Sequence, residues 1–242
     1  MPHRLAKMLL ILLVTPGCKA TPGAPERPEV VDYLMPRGRD KIELLMERKV
    51  WGPGRDLLRQ PRMLLAERSG EGVIYSLGER VDHDRWRTSA RLFFVATSRG
   101  AFIKRQEDLA GQPVGVEEPR LVIPWPLRPG VVRHLEYRLL GPQEDGSRTA
   151  ASKVTVLRSG FHEKVAGKSY GPCVEVRELL IPGAGGKLDL KSTFCKGLGR
   201  IRIEQRNESL SRGESFVTDQ VMGVREGGSQ GQARERGRRA RE

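Results

Sequence analysis

The sequence predicts a mainly β protein, an antiparallel meander forming a curved sheet or half-barrel, with few or no long helices and disordered termini. Three observations carry that expectation. Short alternating stretches recur from Val31 onward, separated by turns rich in Gly, Ser and Pro. Cys173 and Cys195 fall symmetrically about one of those turns. The segments 19–30 and 225–242 lack the large apolar residues that a packed core needs.

The first residues set the compartment. Arg4 and Lys7 form a short cationic stretch, Met8–Val14 is an apolar run, and Gly17-Cys18 follows. Charge, apolar run and small residues in that order read as an export signal over 1–17. The run is far shorter than the ~20 apolar residues a membrane-crossing helix requires, and Pro16-Gly17 ends it. Two cleavages are open: one before Cys18, and one after Ala20, where Cys18-Lys19-Ala20 approximates a small-x-small site. Residues 18–30 form a Pro-rich tether; from Lys19 to Val30 they hold three prolines, one glycine and little beyond alanine to bury.

Removing the signal leaves about 220 residues, enough for one large or two small domains. Hydrophobic residues make up 38% and aromatics 5%, low but still globular. The net charge of +13 is dominated by arginine, and acidic residues are mixed throughout rather than separated from it. A nucleic-acid surface would need a basic face interleaved with aromatics, so the charge points instead to anionic envelope surfaces.

The β domain spans 31–224. Lys41–Lys49 (KIELLMERK) suits a helix or a strand, and its periodicity leaves both open. Arg62–Arg68 and Val73–Leu77 flank Ser69-Gly-Glu-Gly72 as a hairpin, and Ala90–Thr97 and Ala101–Arg105 flank Ser98-Arg-Gly100 in the same way. Five prolines fall between Leu109 and Gly130. That stretch is either the junction between two subdomains at 109–130 or a long crossing within one continuous sheet, and the latter is favoured. Val131–Leu140 alternates, followed by a turn at Gly141–Gly146. Lys153–Leu157 is a strand ended by Ser159-Gly160, and Phe161–Lys168 continues the meander.

The next hairpin has a register that can be read directly. Its turn, Ile181–Gly186, centres near Ala184, so Cys173 faces Cys195, Val174 faces Phe194 and Leu180 faces Leu188. Val176 and Leu190 share that apolar side, while Glu175, Arg177, Lys191 and Thr193 lie with the cysteines on the other. In an oxidising compartment these two cysteines should form a disulfide. Arg200–Glu204 and Ser215–Met222 read as the last strands. The tail, 225–242, holds no large apolar residue; Arg234, Arg236, Arg238, Arg239 and Arg241 make it basic, suited to loose attraction to anionic envelope polymers.

Catalysis finds little support. Gly183-Ala-Gly-Gly-Lys187 lacks the Ser/Thr and the helix of a phosphate loop. Asp82-His83-Asp84 has no second histidine at a metal-ligand spacing. His134 and His162 sit near Glu136 and Glu163 without an adjacent nucleophile. The expectation is a protein that is not an enzyme, with no cofactor, no metal and no nucleic-acid partner.

Pro126-Leu-Arg-Pro-Gly130, the Cys173 hairpin and Phe194-Cys-Lys-Gly-Leu-Gly199 resemble bacterial cell-envelope lipoproteins of uncharacterised role, with an exported all-β domain behind a lipobox-like signal. Gly17-Cys18 matches the last two positions of a lipobox; Thr15 and Pro16 depart from it. The resemblance implies that Cys18 carries the lipid. Lys19 beside it, where aspartate would favour the inner membrane, implies the outer membrane, facing the periplasm. Two roles remain: a non-catalytic, anchored structural or interaction module, or a periplasmic carrier holding a lipid or other apolar ligand. A carrier needs an apolar cavity of several hundred Å³ open to solvent, on the order of ordinary ligand sites. A scaffold packs that face shut.

Overall fold

The structure is a computed structural model that describes residues 29–35, 38–53, 55–70, 72–82, 85–115, 117, 119–140, 149–182, 186–207 and 212–226. The signal, most of the tether with Cys18, the expected turn at Gly141–Gly146, residues 183–185 of the expected turn at Ile181–Gly186, His83-Asp84 and the basic arginines from Arg234 onward lie outside these residues.

A 3-10 helix, Glu29–Tyr33, leads into β1 (Arg39–Gly52), β2 (Arg55–Ser69), β3 (Gly72–Arg80), β4 (Trp86–Thr97), β5 (Gly100–Glu107) and β6 (Arg120–Pro124). The second half supplies β7 (Val132–Arg138), β8 (Thr149–Val165), β9 (Lys168–Pro182), β10 (Leu188–Cys195), β11 (Gly199–Asn207) and β12 (Arg212–Glu226). Among the described residues these form one twelve-stranded sheet in the order β6-β5-β4-β3-β2-β1-β12-β11-β10-β9-β8-β7. Every pairing is antiparallel, so each half is a meander and β1–β12 joins them.

The Pro-rich stretch is therefore a crossing within one sheet. It contains β6 and carries the chain from one sheet edge to the other, and the sheet curves so that these edges meet. The Leu121 N–H on β6 donates to the Tyr137 hydroxyl on β7 at 2.9 Å. Glu117 N–H donates to the Arg138 carbonyl at 2.8 Å, and Leu140 N–H to the Gly115 carbonyl at 2.9 Å. Leu121, Val122 and Ile123 are all buried, which protects a strand edge that would otherwise be open to pairing.

Lys41–Lys49, left open between helix and strand, is extended. Ile42, Leu44 and Met46 are buried at period two, opposite Ala66, Leu64 and Arg62 of β2. The Cys173 hairpin has the register its symmetry predicts: Cys195 faces Cys173, Phe194 faces Val174 and Leu188 faces Leu180. The disulfide is formed and both cysteines are fully buried. The expected solvent face is covered beside it, however, for Glu175 and Thr193 are buried too. Arg158 lies over the Phe161 ring and pairs with Glu175 at 2.9 Å.

Three expected boundaries move. Ser159-Gly160 does not end a strand; the pairing with β9 slips there and β8 runs on as a bulged strand of 17 residues. The tether's last residues, Glu29 and Val30, belong to the fold, with Val30 only 1% exposed. Arg225 and Glu226 belong to β12 and not to a tail, because backbone pairing with Lys41 and Arg39 needs no apolar side chain.

The N-terminal helix plugs one end of the curved sheet. The Tyr75 hydroxyl donates to the Leu34 carbonyl at 2.6 Å and accepts from the Arg200 N–H at 3.2 Å. Lys196 pairs with Glu29 at 2.5 Å and sits over the Tyr33 ring. Gly199 makes this approach feasible. Its φ is +82°, and a Cβ there would lie 2.6 Å from the Tyr75 hydroxyl and 2.7 Å from the Leu34 carbonyl oxygen.

Gly199→Ala should destabilise the protein by about 3 kcal/mol, from backbone strain and overpacking together. Tyr75→Phe should cost about 1–3 kcal/mol for each backbone group it orphans. Urea unfolding checks both. Replacing Cys173 and Cys195 with serine reopens a 22-residue separation and should lose about 3 kcal/mol on the chain-entropy model. Denaturation with and without reductant measures this, and the serine variant should be insensitive to reductant.

Candidate functional site

Two groups of charged side chains stand on the inward parity of the strands, and they differ in balance. Toward the β1–β2 turn, Arg48 pairs with Glu214 at 2.7 Å and Arg62 with Glu79 at 2.9 Å, while Gln60 accepts from both arginines. Each cation there has a carboxylate.

The second group joins the two sheet edges and is not balanced. Glu178 of β9 follows Val174 and Val176 on the inward face and is 6% exposed. It accepts from the Ser152 hydroxyl of β8 at 3.1 Å, and its other oxygen lies 3.7 Å from Arg120 Nε at the start of β6. Arg200 of β11 donates to the Ser192 hydroxyl of β10 at 2.7 Å and faces the Phe194 ring at 5.5 Å. Arg200 is 5% exposed. A register shift in β10–β11 skips Ile201, so Arg200 and Ile201 are both buried where strict alternation would expose one of them. Arg120 Nε and Arg200 Nε are both buried without a hydrogen-bond acceptor. Glu178 thus pairs with Arg120 and shares the inward face with Ser192, the residue that holds Arg200; an unpaired buried charge costs several kcal/mol.

The surroundings set the local titration. Burial, and next the like charge of Arg120, press Arg200 down to about 10, so it stays cationic at neutral pH. Burial pushes the Tyr137 hydroxyl up to about 12, partly offset by the Leu121 N–H it accepts. Burial also raises the Tyr75 hydroxyl. The cluster offers N–H and O–H donors to oxygen atoms.

A separate groove of about 410 Å³ lies on the outer side, lined by Phe93, Lys104, Arg105, Gln106, Pro113, Glu117 and Leu140. Arg105 covers the Phe93 ring at 4.2 Å. Among the described residues no three metal-ligating side chains converge, and no helix is long and apolar enough to cross a membrane.

Of the residues singled out from sequence, Cys173 and Cys195 are brought together. His134 and His162 are exposed on β7 and β8. Cys18, Gly183–Gly185 and the basic arginines fall outside the described residues. The polar cluster was not anticipated. Parity alone could have flagged Glu178, a charge two residues past Val176 on an apolar face; nothing in the sequence announces the bulge that turns Arg200 inward.

No family model matches the chain, and no curated protein matches it. Among solved structures, a candidate exported protein of Bacteroides fragilis with a YmcC-like fold superposes at a TM-score of 0.32 and 10% identity, over 78% of this chain and 98% of that one. A superposition that loose transfers neither fold nor role.

The raised Tyr137 has a measurable consequence. A tyrosine whose folded value lies above its unfolded one stabilises the fold fully below pH 10.0 and loses that contribution as pH rises toward about 12. Arg200 works oppositely, since its penalty is relieved as pH rises above about 10. Tyr137→Phe should therefore flatten the decline in stability across pH 10.0 to about 12 relative to the parent. Urea midpoints through that range report it.

Proposed function

We propose that the protein is a non-catalytic cell-envelope module, exported and held by a lipid on Cys18, with a structural or interaction role. The observation that carries this reading is the buried Cys173–Cys195 disulfide, which suits an oxidising compartment and agrees with the signal-like order of the first eighteen residues. The plug at Glu29–Met35 supports the anchor. A pull on the tether enters the fold through the Lys196–Glu29 pair and the Tyr75–Leu34 hydrogen bond. The inward face also favours a module over a carrier, because Leu34, Met35, Tyr75, Phe94 and Phe194 fill it as fully buried side chains. Lys19 next to the lipidated residue favours the outer membrane, facing the periplasm.

Mass spectrometry of protein purified from membranes should show an acylated N-terminal Cys18 and the mass deficit of one disulfide. Cys18→Ala should move the protein from the membrane to the soluble fraction with its fold intact. An unlipidated chain beginning at Thr21 would remove the anchor from the reading.

A further inference from the structure

We propose that the interior of the sheet binds one small oxyanion between Arg120 and Arg200. The inference does not depend on the anchor or on the envelope role. It rests on three features of the same cluster. Arg200 is 5% exposed and its Nε has no acceptor. Arg120 Nε likewise has none, its contact with Glu178 being an ion pair at 3.7 Å and not a hydrogen bond. Glu178 pairs with Arg120 and lies on the same face as Ser192, which holds Arg200, and one of its oxygens is already taken by Ser152.

The contrast with the opposite end of the interior is informative. There, Arg48 and Arg62 each have a carboxylate, Glu214 and Glu79. The same sheet thus gives each arginine of one inward pair its own carboxylate and leaves the other pair with excess positive charge. Water would satisfy the free N–H groups but not the charge. An oxyanion does both, since its oxygens accept charge-assisted hydrogen bonds from guanidinium N–H groups. The Ser192 and Tyr137 hydroxyls border the cluster and add polar surface. The ligand is either a free inorganic oxyanion or the carboxylate head of an acyl chain, and the two sources are separable by experiment.

Thermal unfolding of the full chain is measured in phosphate and in octanoate, each against chloride at equal ionic strength. A ligand that binds only the folded state should raise the midpoint by about 5–10 °C at about 100 times its Kd. A rise with phosphate and none beyond it with octanoate identifies a free inorganic anion; a larger rise with octanoate identifies an acyl carboxylate. No rise with either overturns the proposal.

Variants locate the site. Arg120→Gln, at the less buried end, should abolish the anion-dependent rise while circular dichroism shows the sheet retained; a rise that persists overturns the assignment. Glu178→Gln removes the competing carboxylate and should tighten anion binding about tenfold. A purely structural ion pair would only weaken the fold on that change, so an unchanged or poorer affinity places the anion elsewhere.

Discussion

The Tyr75 hydroxyl is the contact on which the closed end of the sheet depends. It donates to the Leu34 carbonyl after the N-terminal helix and accepts from the Arg200 N–H at the start of β11, so one oxygen ties three distant segments together. Its ring packs on Phe94 with centroids 4.7 Å apart, and the side chain is fully buried. Both backbone groups would be orphaned in a dry interior without it. Gly199 is required for the same reason, because any side chain there would occupy the space of those two oxygens. The disulfide stands four residues before Gly199 and fixes the strand end that presents it.

Around that contact the interior divides by polarity. Apolar side chains from both halves fill the end nearest the helix, where Met35, Ile42, Phe94, Val174 and Phe194 belong to one core. Charged side chains take over at the sheet edges and toward the β1–β2 turn. Isolated surface ion pairs contribute little, but these are inward, and their hydrogen-bond geometry decides whether they stabilise. The Arg48–Glu214 and Arg62–Glu79 pairs are matched; the Arg120–Glu178–Arg200 group has a surplus cation.

How much of this could be read from the sequence depends on whether the determining contact is local. The register of the Cys173 hairpin was legible, since a turn and period-two alternation fix it by themselves, while the cover over its polar face was not. The 69–72 and 98–100 turns were legible for the same reason. Lys41–Lys49 was not, because Ile42, Leu44, Leu45 and Met46 satisfy both periods; pairing on both sides with β2 and β12 decides it. The extension of β12 to Glu226 depends on that same distant pairing. The charged cluster was half visible: Glu178 by parity, Arg200 hidden by a bulge.

The pairing of β1 with β12 also imposes an order on folding. The two meanders, β1–β6 and β7–β12, each pair strands that are neighbours in sequence. The seam between them joins strands from opposite ends of the domain, and the loop closure it requires is slow and comes late. A chain emerging N-terminus first therefore holds β1 as an unpaired edge until β12 has arrived, with Ile42, Leu44 and Met46 beside it. During that interval the half-built sheet presents the kind of open strand that recruits a second copy or a chaperone. Completion of the seam, rather than formation of any single hairpin, is the step that removes that exposure.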